Sequence, residues 1–205
     1  MTDNSVVHLV DDDEDVRRAL AFLLGTAGLA VRVYESATAL LENFDGAQRG
    51  CIVSDVRMPG MDGIQLLRHL KKKGVIQPVI VMTGHADVAL AVRAMKAGAV
   101  DFIEKPFSDD VLLVAIAAAL KEPGGFSQPG SEAVAQVRSR LGTLSEREKE
   151  VLDGLLRGNP NKTIAYDLGI SPRTVEVHRA SVMKKMNATS LSQLVRMVLS
   201  MGSST

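Results

Sequence analysis

Residues 51–63, Cys-Ile-Val-Ser-Asp-Val-Arg-Met-Pro-Gly-Met-Asp-Gly, constrain this chain more than any other stretch. Cys51 to Ser54 are apolar or small and lead into one carboxylate, Asp55; Pro59, Gly60 and Gly63 then interrupt the backbone before a helical pattern begins. A run that short, bounded by turn formers, reads as a strand buried on both faces. Such strands belong to parallel sheets covered by helices, and open sheets of that class carry their chemistry at the carboxyl ends of the strands. Asp55 stands at such an end. For an isolated Asp of this kind the solvated reading, an acid opening a loop, is normally favoured, so the choice rests on what the other strand ends supply.

The order of patterns predicts the sheet. Val6 to Val10 is a short apolar run ending at Asp11, Asp12 and Asp13, followed by a helical pattern on Val16, Leu20, Leu23 and Leu24 that Gly25 or Gly28 ends. Ala30 to Tyr34 is a second strand, and Ser36 caps a helix carrying Leu40 and Leu41. Strand three, Cys51 to Asp55, precedes a helix over 63–74. Pro78 to Thr83 and Asp101 to Lys105 are strands four and five, separated by a helix over 87–98 built on Val88, Val92 and Met95. Ser108 caps the last helix of this half, with Asp109 and Asp110 in its first turn, where the helix dipole favours acids. Five strands alternating with five helices predict a parallel α/β sheet with helices on both faces, within a domain at 1–122.

A Pro/Gly/Ser cluster opens a linker at 123–140, whose second part, from Ser131, is helix-patterned. The remainder, 141–205, reads as four helices and no strand. Ser145 with Glu148 forms a capping box before Val151, Leu152, Leu155 and Leu156. A short helix from Asn161 to Leu168 stops at Gly169, and Ser171-Pro172 starts a helix running to Met186. Ser190 opens the fourth. Two helices joined by a short Gly-containing turn match a DNA-binding helix-turn-helix.

Charge supports the division. Residues 1–122 carry 13 Lys and Arg against 17 Asp and Glu; residues 123–205 carry 11 against 7. An acidic half followed by a basic half suggests separate partners, nucleic acid for the second. Hydrophobic content of 46% with 23% charge is that of a globular protein. The longest apolar run, Val111 to Leu120, is too short to span a bilayer. The acid-rich opening predicts no secretory signal, and a single cysteine, Cys51, excludes an internal disulfide, so a cytoplasmic location without membrane attachment is expected. The four histidines show no metal-ligand spacing.

The predicted sheet gathers Asp11, Asp12, Asp55, Thr83 and Lys105 at one rim, each at or just past the carboxyl end of a strand. Carboxylates a few ångströms apart repel by about 1 kcal/mol per pair in water and about 4 at an intermediate dielectric. A hard cation relieves this, and carboxylates with water suit Mg²⁺ or Mn²⁺. These residues, with Met58-Pro59-Gly60-Met61-Asp62-Gly63 and Lys105-Pro106 in order, resemble a two-component receiver domain. The resemblance implies a flavodoxin-like sheet of strand order 2-1-3-4-5. It also implies that Asp55 is the phosphoacceptor, attacking the phosphohistidine of a sensor histidine kinase. The metal would be bound by Asp11, Asp12, Asp55 and the backbone carbonyl of Arg57. Lys105 would bind a phosphoryl oxygen, and Thr83 would bind the phosphoryl through its hydroxyl. Asp13 is read as a helix-start residue and His85 as a loop residue. Phe102 is either the family's rotating switch aromatic, acting with Thr83, or a buried core residue. In that family the face made by helix 87–98 and strand 101–105, here with Val88, Val92, Met95 and Ala99, some of them exposed, forms a phosphorylation-dependent homodimer.

Residues 141–201 are similar to LuxR-type DNA-binding domains, through Leu144-Ser145-Glu146-Arg147-Glu148, Asn161-Lys162-Thr163-Ile164-Ala165, and Ser171-Pro172-Arg173-Thr174-Val175-Glu176-Val177-His178. In the last helix of that set, period 3.6 turns Val175, His178, Val182 and Met186 inward and leaves Thr174, Glu176, Val177, Ser181, Lys184 and Lys185 outward or flanking, with Arg179 and Ala180 nearby. Lys162, Arg173, Thr174, Lys184 and Lys185 suit phosphates, and Val177 suits a thymine methyl in the major groove. Glu176 either pairs with Arg173 or Arg179, the reading preferred, or accepts from cytosine N4. The whole resembles a FixJ-type response regulator, which implies promoter binding, transcriptional activation with RNA polymerase as partner, and nitrogen-fixation or microaerobic target genes. No enzymatic turnover beyond slow self-dephosphorylation is expected. Two other classes are weighed. One is a DNA-binding regulator whose receiver is a phosphorylation-independent interaction module; the intact Asp12, Asp55, Thr83 and Lys105 argue against it. The other is a phosphatase with an Asp nucleophile, for which no separate general acid is apparent.

Overall fold

Five short apolar runs form strands: β1 (Val6–Val10), β2 (Ala30–Tyr34), β3 (Gly50–Asp55), β4 (Val79–Thr83) and β5 (Asp101–Glu104). They are seen in a computed structural model that describes residues 5–44, 46, 48–84, 88–121 and 131–202. The expectations for His85 and Asp87, and those for the linker over 123–130, fall outside these residues. All pairings are parallel, in the order β2-β1-β3-β4-β5, as expected. Val10 lies beside Ser54, Asp55 beside Met82, and Thr83 beside Glu104. This register brings the carboxyl ends of the four inner and right-hand strands into line, so residues 11, 55, 83 and 105 share one rim.

Local signals start the helices. Helix α1 (Glu14–Thr26) is capped by Asp13, whose side chain accepts from the N–H groups of Asp15 and Val16, so the third acid is the helix-start residue expected. Helix α2 (Ala37–Asn43) is capped by Ser36, and α3 (Gly63–Lys72) by a reciprocal Asp62–Gln65 capping box. Helices α4 (Val88–Ala97) and α5 (Asp109–Lys121) complete the alternation. Side chains alternate across each strand. One face of the sheet, with Val7, Leu9, Cys51, Val53, Ile80, Met82 and Ile103, packs under α1 and α5 through Leu20, Leu24, Leu112 and Ile116. In helix α4 Val92 and Met95 are buried, as are Ala91, Ala94 and, just beyond the helix, Ala99, so of the set expected to be partly exposed only Val88 is left open. Burial covers an arc wider than one helical face, and Arg93 and Lys96 are the exposed side chains of the helix interior. The description of Val88 does not extend to its side chain.

The chain divides into two compact units, one organised on the sheet (residues 1–85 and 97–127) and one (residues 86–96 and 128–205) that takes in most of α4 along with the C-terminal helices. The latter contain α6 (Ser131–Gly142), α7 (Glu146–Leu156), α8 (Asn161–Leu168), α9 (Pro172–Met186) and α10 (Leu191–Gly202). The helix pattern from Ser131 is thus realised as α6, whose Val137 joins Leu144, Leu152, Val182, Met186 and Leu194 in one apolar cluster. A second cluster, Val151, Leu155, Ile164, Ala165 and Val175, ties α7, α8 and α9 together. Between α8 and α9 the chain turns at Gly169, whose φ of 65° is the left-handed conformation glycine adopts without a Cβ penalty. Ser171 then caps α9 and Pro172 opens it. This is the expected helix-turn-helix. Among the described residues no helix is long and apolar enough to cross a membrane.

Candidate functional site

The strand-end rim holds one cation between two carboxylates. Lys105 Nζ donates to Asp11 Oδ2 and to Asp55 Oδ1, each at 2.7 Å. Both carboxylates are buried, at 2% and 6% exposure. Asp11 is held further by the Asp13 N–H on its Oδ1 at 3.0 Å and by Arg17, which donates to its backbone carbonyl at 2.7 Å. The Arg57 N–H donates to Asp55 Oδ2 at 2.5 Å. Burial raises the Asp55 carboxyl above its ordinary pKa; the Lys105 hydrogen bond and charge oppose this, and the nearby Asp11 charge adds to it. For Lys105, burial acts against the ammonium, but its bonds to Asp11 and Asp55 outweigh that and raise its pKa.

The other rim residues are placed differently from one another. Thr83 is fully buried, and its Oγ1 has no hydrogen-bond partner. Asp12 is exposed, outside the Lys105-centred group. Among the described residues no group of three or more His, Cys, Asp or Glu side chains is placed to hold a metal ion. The acids Asp11, Asp12 and Asp55 are split, because Lys105 stands between two of them while the third points to solvent. Phe102, opposite Val81 in the β4–β5 register, is of intermediate burial, which fits either of the two roles weighed for it.

Helix α9 carries the second set. Val175, Val182 and Met186 are fully buried and His178 is half-buried. Val177 is 64% exposed, and Arg173, Glu176, Ala180 and Lys184 are exposed with it, while Arg179 is half-buried. On α8, Lys162 is exposed as well. Two side chains are occupied elsewhere. Thr174 hydrogen-bonds Ser171 Oγ at 2.8 Å within the cap. Lys185, expected on phosphates, donates to Glu148 Oε2 at 2.7 Å and to the Thr143 carbonyl at 3.3 Å while its side chain stays 37% exposed. The preferred pairing of Glu176 with Arg173 or Arg179 does not form: no ion pair joins them. Glu176 therefore remains exposed and available to an outside donor.

The profile of the response regulator receiver domain family matches residues 7–117, more than half of the chain. The chain is a response regulator. A second profile, that of bacterial regulatory proteins of the luxR family, matches residues 142–198. Among curated proteins, this response regulator is 53% identical to the transcriptional regulatory protein FixJ of Azorhizobium caulinodans, over 98% of this chain and 95% of the other. It is 54% identical to FixJ of Rhizobium meliloti, over 98% of each chain. It is 45% identical to the C4-dicarboxylate transport transcriptional regulatory protein DctR of Rhodobacter capsulatus, over 93% of this chain and 98% of the other. Among solved structures, full-length FixJ from B. japonicum aligns with 46% identity, a TM-score of 0.55 and 98% coverage of each chain. The protein is accordingly a two-component transcriptional regulator of the FixJ type, with a receiver domain and a LuxR-type DNA-binding domain.

Several residues of the response regulator's two sites do more in the fold than their sequence signal shows. Arg17 reads as one of many helix-surface cations, yet it secures the Asp11 carbonyl. Glu148 is legible as a capping residue; that it also binds Ser181 Oγ at 2.6 Å and Lys185 depends on how α7 and α9 cross. Gly63 is legible as a backbone break, but a Cβ there would sit 2.3 Å from the Asp55 carbonyl oxygen, a contact only the folded chain makes.

Proposed function

We propose that the protein accepts a phosphoryl group from a sensor histidine kinase on Asp55, dimerises, and binds promoter DNA through α9 to activate transcription. The observation that carries this is the Lys105 ammonium held between Asp11 and Asp55, with the unpartnered Thr83 hydroxyl at the same rim. An Asp55 carboxylate oxygen attacks phosphorus of a phosphohistidine; the O–P bond forms as the P–N bond breaks, and the electron pair leaves on the imidazole nitrogen. Lys105 stabilises charge on a phosphoryl oxygen, and the Thr83 hydroxyl gains the acceptor it lacks. Beyond slow hydrolysis of the acyl phosphate, no turnover is proposed.

The rim suits Mg²⁺ or Mn²⁺: its donors are hard oxygens, and one ammonium leaves two buried carboxylates half-compensated. Asp11, Asp12, Asp55 and the Arg57 carbonyl would hold the ion, which supplies charge neutralisation for the transferring phosphoryl. Asp12, exposed here, is free to turn inward.

Dimerisation is assigned to the face of α4 and β5. Its exposed groups include Arg93 on the helix and Glu104 on the strand, opposite charges that a two-fold axis would set against each other, while Lys96 is taken up by the Leu156 carbonyl at 2.9 Å. The shift of Thr83 toward the phosphoryl, followed by Phe102, couples that face to Asp55. Two DNA-binding domains would then read half-sites about one helical turn apart. The FixJ relatives make nitrogen-fixation or microaerobic genes the first targets to examine, in the cytoplasm with RNA polymerase as partner. Sedimentation of the full chain with Mg²⁺ and a phosphoryl mimic tests the reading: the wild type becomes a dimer, Asp55→Asn stays a monomer. An unchanged wild-type mass refutes it.

A further inference from the structure

We propose that Glu148 is a positioning residue that sets the rotation of α9 through Ser181 and Lys185, and that Lys185 is not among the cations that meet the DNA backbone. The inference rests on the reading of α9 as the DNA-reading helix.

Glu148 is a carboxylate at 5% exposure in the first turn of α7. Its Oε1 accepts from Ser181 Oγ at 2.6 Å, and its Oε2 accepts from Lys185 Nζ and from the Ser145 N–H, each at 2.7 Å. Capping alone would use only the last of these bonds and would leave the side chain at the surface. The other two reach across to α9. Ser181 and Lys185 are four residues apart on that helix and therefore stand one above the other on the same face. Two contacts a turn apart on one carboxylate clamp the rotation of α9 and its height against α7, adding a directional restraint to the apolar packing of Val175, Val182 and Met186. A shift of one position in rotation is about 100°. It would carry Val177 off the exposed face, so the DNA-reading set depends on this attachment.

The same geometry separates two adjacent lysines. Both are exposed, but Lys185, its side chain 37% exposed, directs its ammonium to Glu148 and to the Thr143 carbonyl at 3.3 Å, whereas Lys184 makes no ion pair among the described residues. An ammonium engaged with a buried carboxylate leaves it only at the cost of stranding that charge. Lys184 therefore releases a counterion on binding DNA and Lys185 does not.

The test is the salt dependence of binding by the full chain to a labelled mixed-sequence duplex of about thirty base pairs, since non-specific affinity counts phosphate contacts. Lys184→Met lowers the slope of log affinity against log salt by about 0.9. Lys185→Met weakens binding at least about threefold at every salt concentration with the wild-type slope. Glu148→Gln, which keeps an oxygen for Ser181, does the same, and the double variant is no weaker than either single one. Lys185→Met lowering the slope as Lys184→Met does would put it on a phosphate and overturn the proposal while leaving α9 as the reading helix. A folded Lys185→Met or Glu148→Gln variant with wild-type affinity would also overturn it. Wild-type slopes for both Arg173→Met and Lys184→Met would remove α9 from the DNA, and the proposal with it.

Discussion

Lys105 Nζ lies 2.7 Å from Asp55 Oδ1 and equally close to Asp11 Oδ2, joining residues 50 and 94 positions away in the chain. Without that ammonium, two buried carboxylates would face each other uncompensated. Lys105→Met is therefore expected to destabilise the metal-free receiver by about 2–3 kcal/mol in urea unfolding, at the low end for a broken buried pair because the lysine is partly exposed. Unchanged stability would mean that water compensates the two acids.

Asp55→Asn tests the cost of the buried acid through pH. Burial raises the Asp55 pKa in the fold above that of the unfolded chain, so the folded state holds its proton more tightly. Ionised Asp55 thus costs stability, a cost that is absent below the ordinary aspartate pKa and complete once pH passes the raised value. Asp55→Asn should be more stable than wild type at pH 7, and the gain should shrink toward zero as pH falls below that of an ordinary aspartate. A gain independent of pH would point to a cause other than charge.

Thr83→Val replaces a buried hydroxyl that has no partner by a methyl group of the same shape. A buried unpartnered hydroxyl costs about 1–3 kcal/mol, so the resting protein should gain about 1 kcal/mol in thermal or urea unfolding. Phosphorylation-dependent dimerisation should weaken in the same variant. A loss of stability would show that the hydroxyl is bonded at rest.

Gly63→Ala places a Cβ 2.3 Å from the Asp55 carbonyl oxygen and 3.1 Å from Val56 Cα, both backbone atoms that cannot turn aside. A destabilisation of about 1–3 kcal/mol is expected from this overpacking. Because the strain falls on Asp55 itself, phosphoryl uptake measured by mass spectrometry should slow. Wild-type values for both would place the α3 start farther from β3.

Glu148 has the opposite sign from Asp55. The hydrogen bond from Lys185, then those from Ser181 and the Ser145 N–H, hold its carboxyl down to about 2, from an ordinary 4.5. Its contribution is present above the unfolded value and is lost as pH falls through the folded one. Glu148→Gln should therefore be less stable than wild type at pH 6, with the two curves converging between about 4.5 and 2. A difference that persists below pH 2 would assign the effect to packing.

Much of the fold is legible because its signals are local. Asp13, Ser36, Asp62, Ser145 and Ser171 cap helices by binding N–H groups two or three residues ahead, a relation set by covalent distance. The strands are readable for a similar reason: an apolar run too short for a helix and bounded by turn residues has few other places to go. Asp55 was likewise legible, since the end of a buried strand is a position as well as a residue.

What the sequence alone determined is thus the element order, the helix starts, the strand-end acids and the sides of α9 that Val175, Val177, Val182 and Met186 take. Only the tertiary structure decided which acid Lys105 binds beside Asp55, that Asp12 stays outside that group, that Ala91, Val92, Ala94 and Met95 of α4 are all buried, and that Lys185 pairs with Glu148 while Lys184 does not. Each of these joins atoms from elements far apart in the chain. Ion pairs have no period, and several acids and lysines of equal chemistry compete for each one. The choice falls to whichever carboxylate the packed backbone brings within about 3 Å, because desolvation makes an unpaired charge costly only once the fold has buried it.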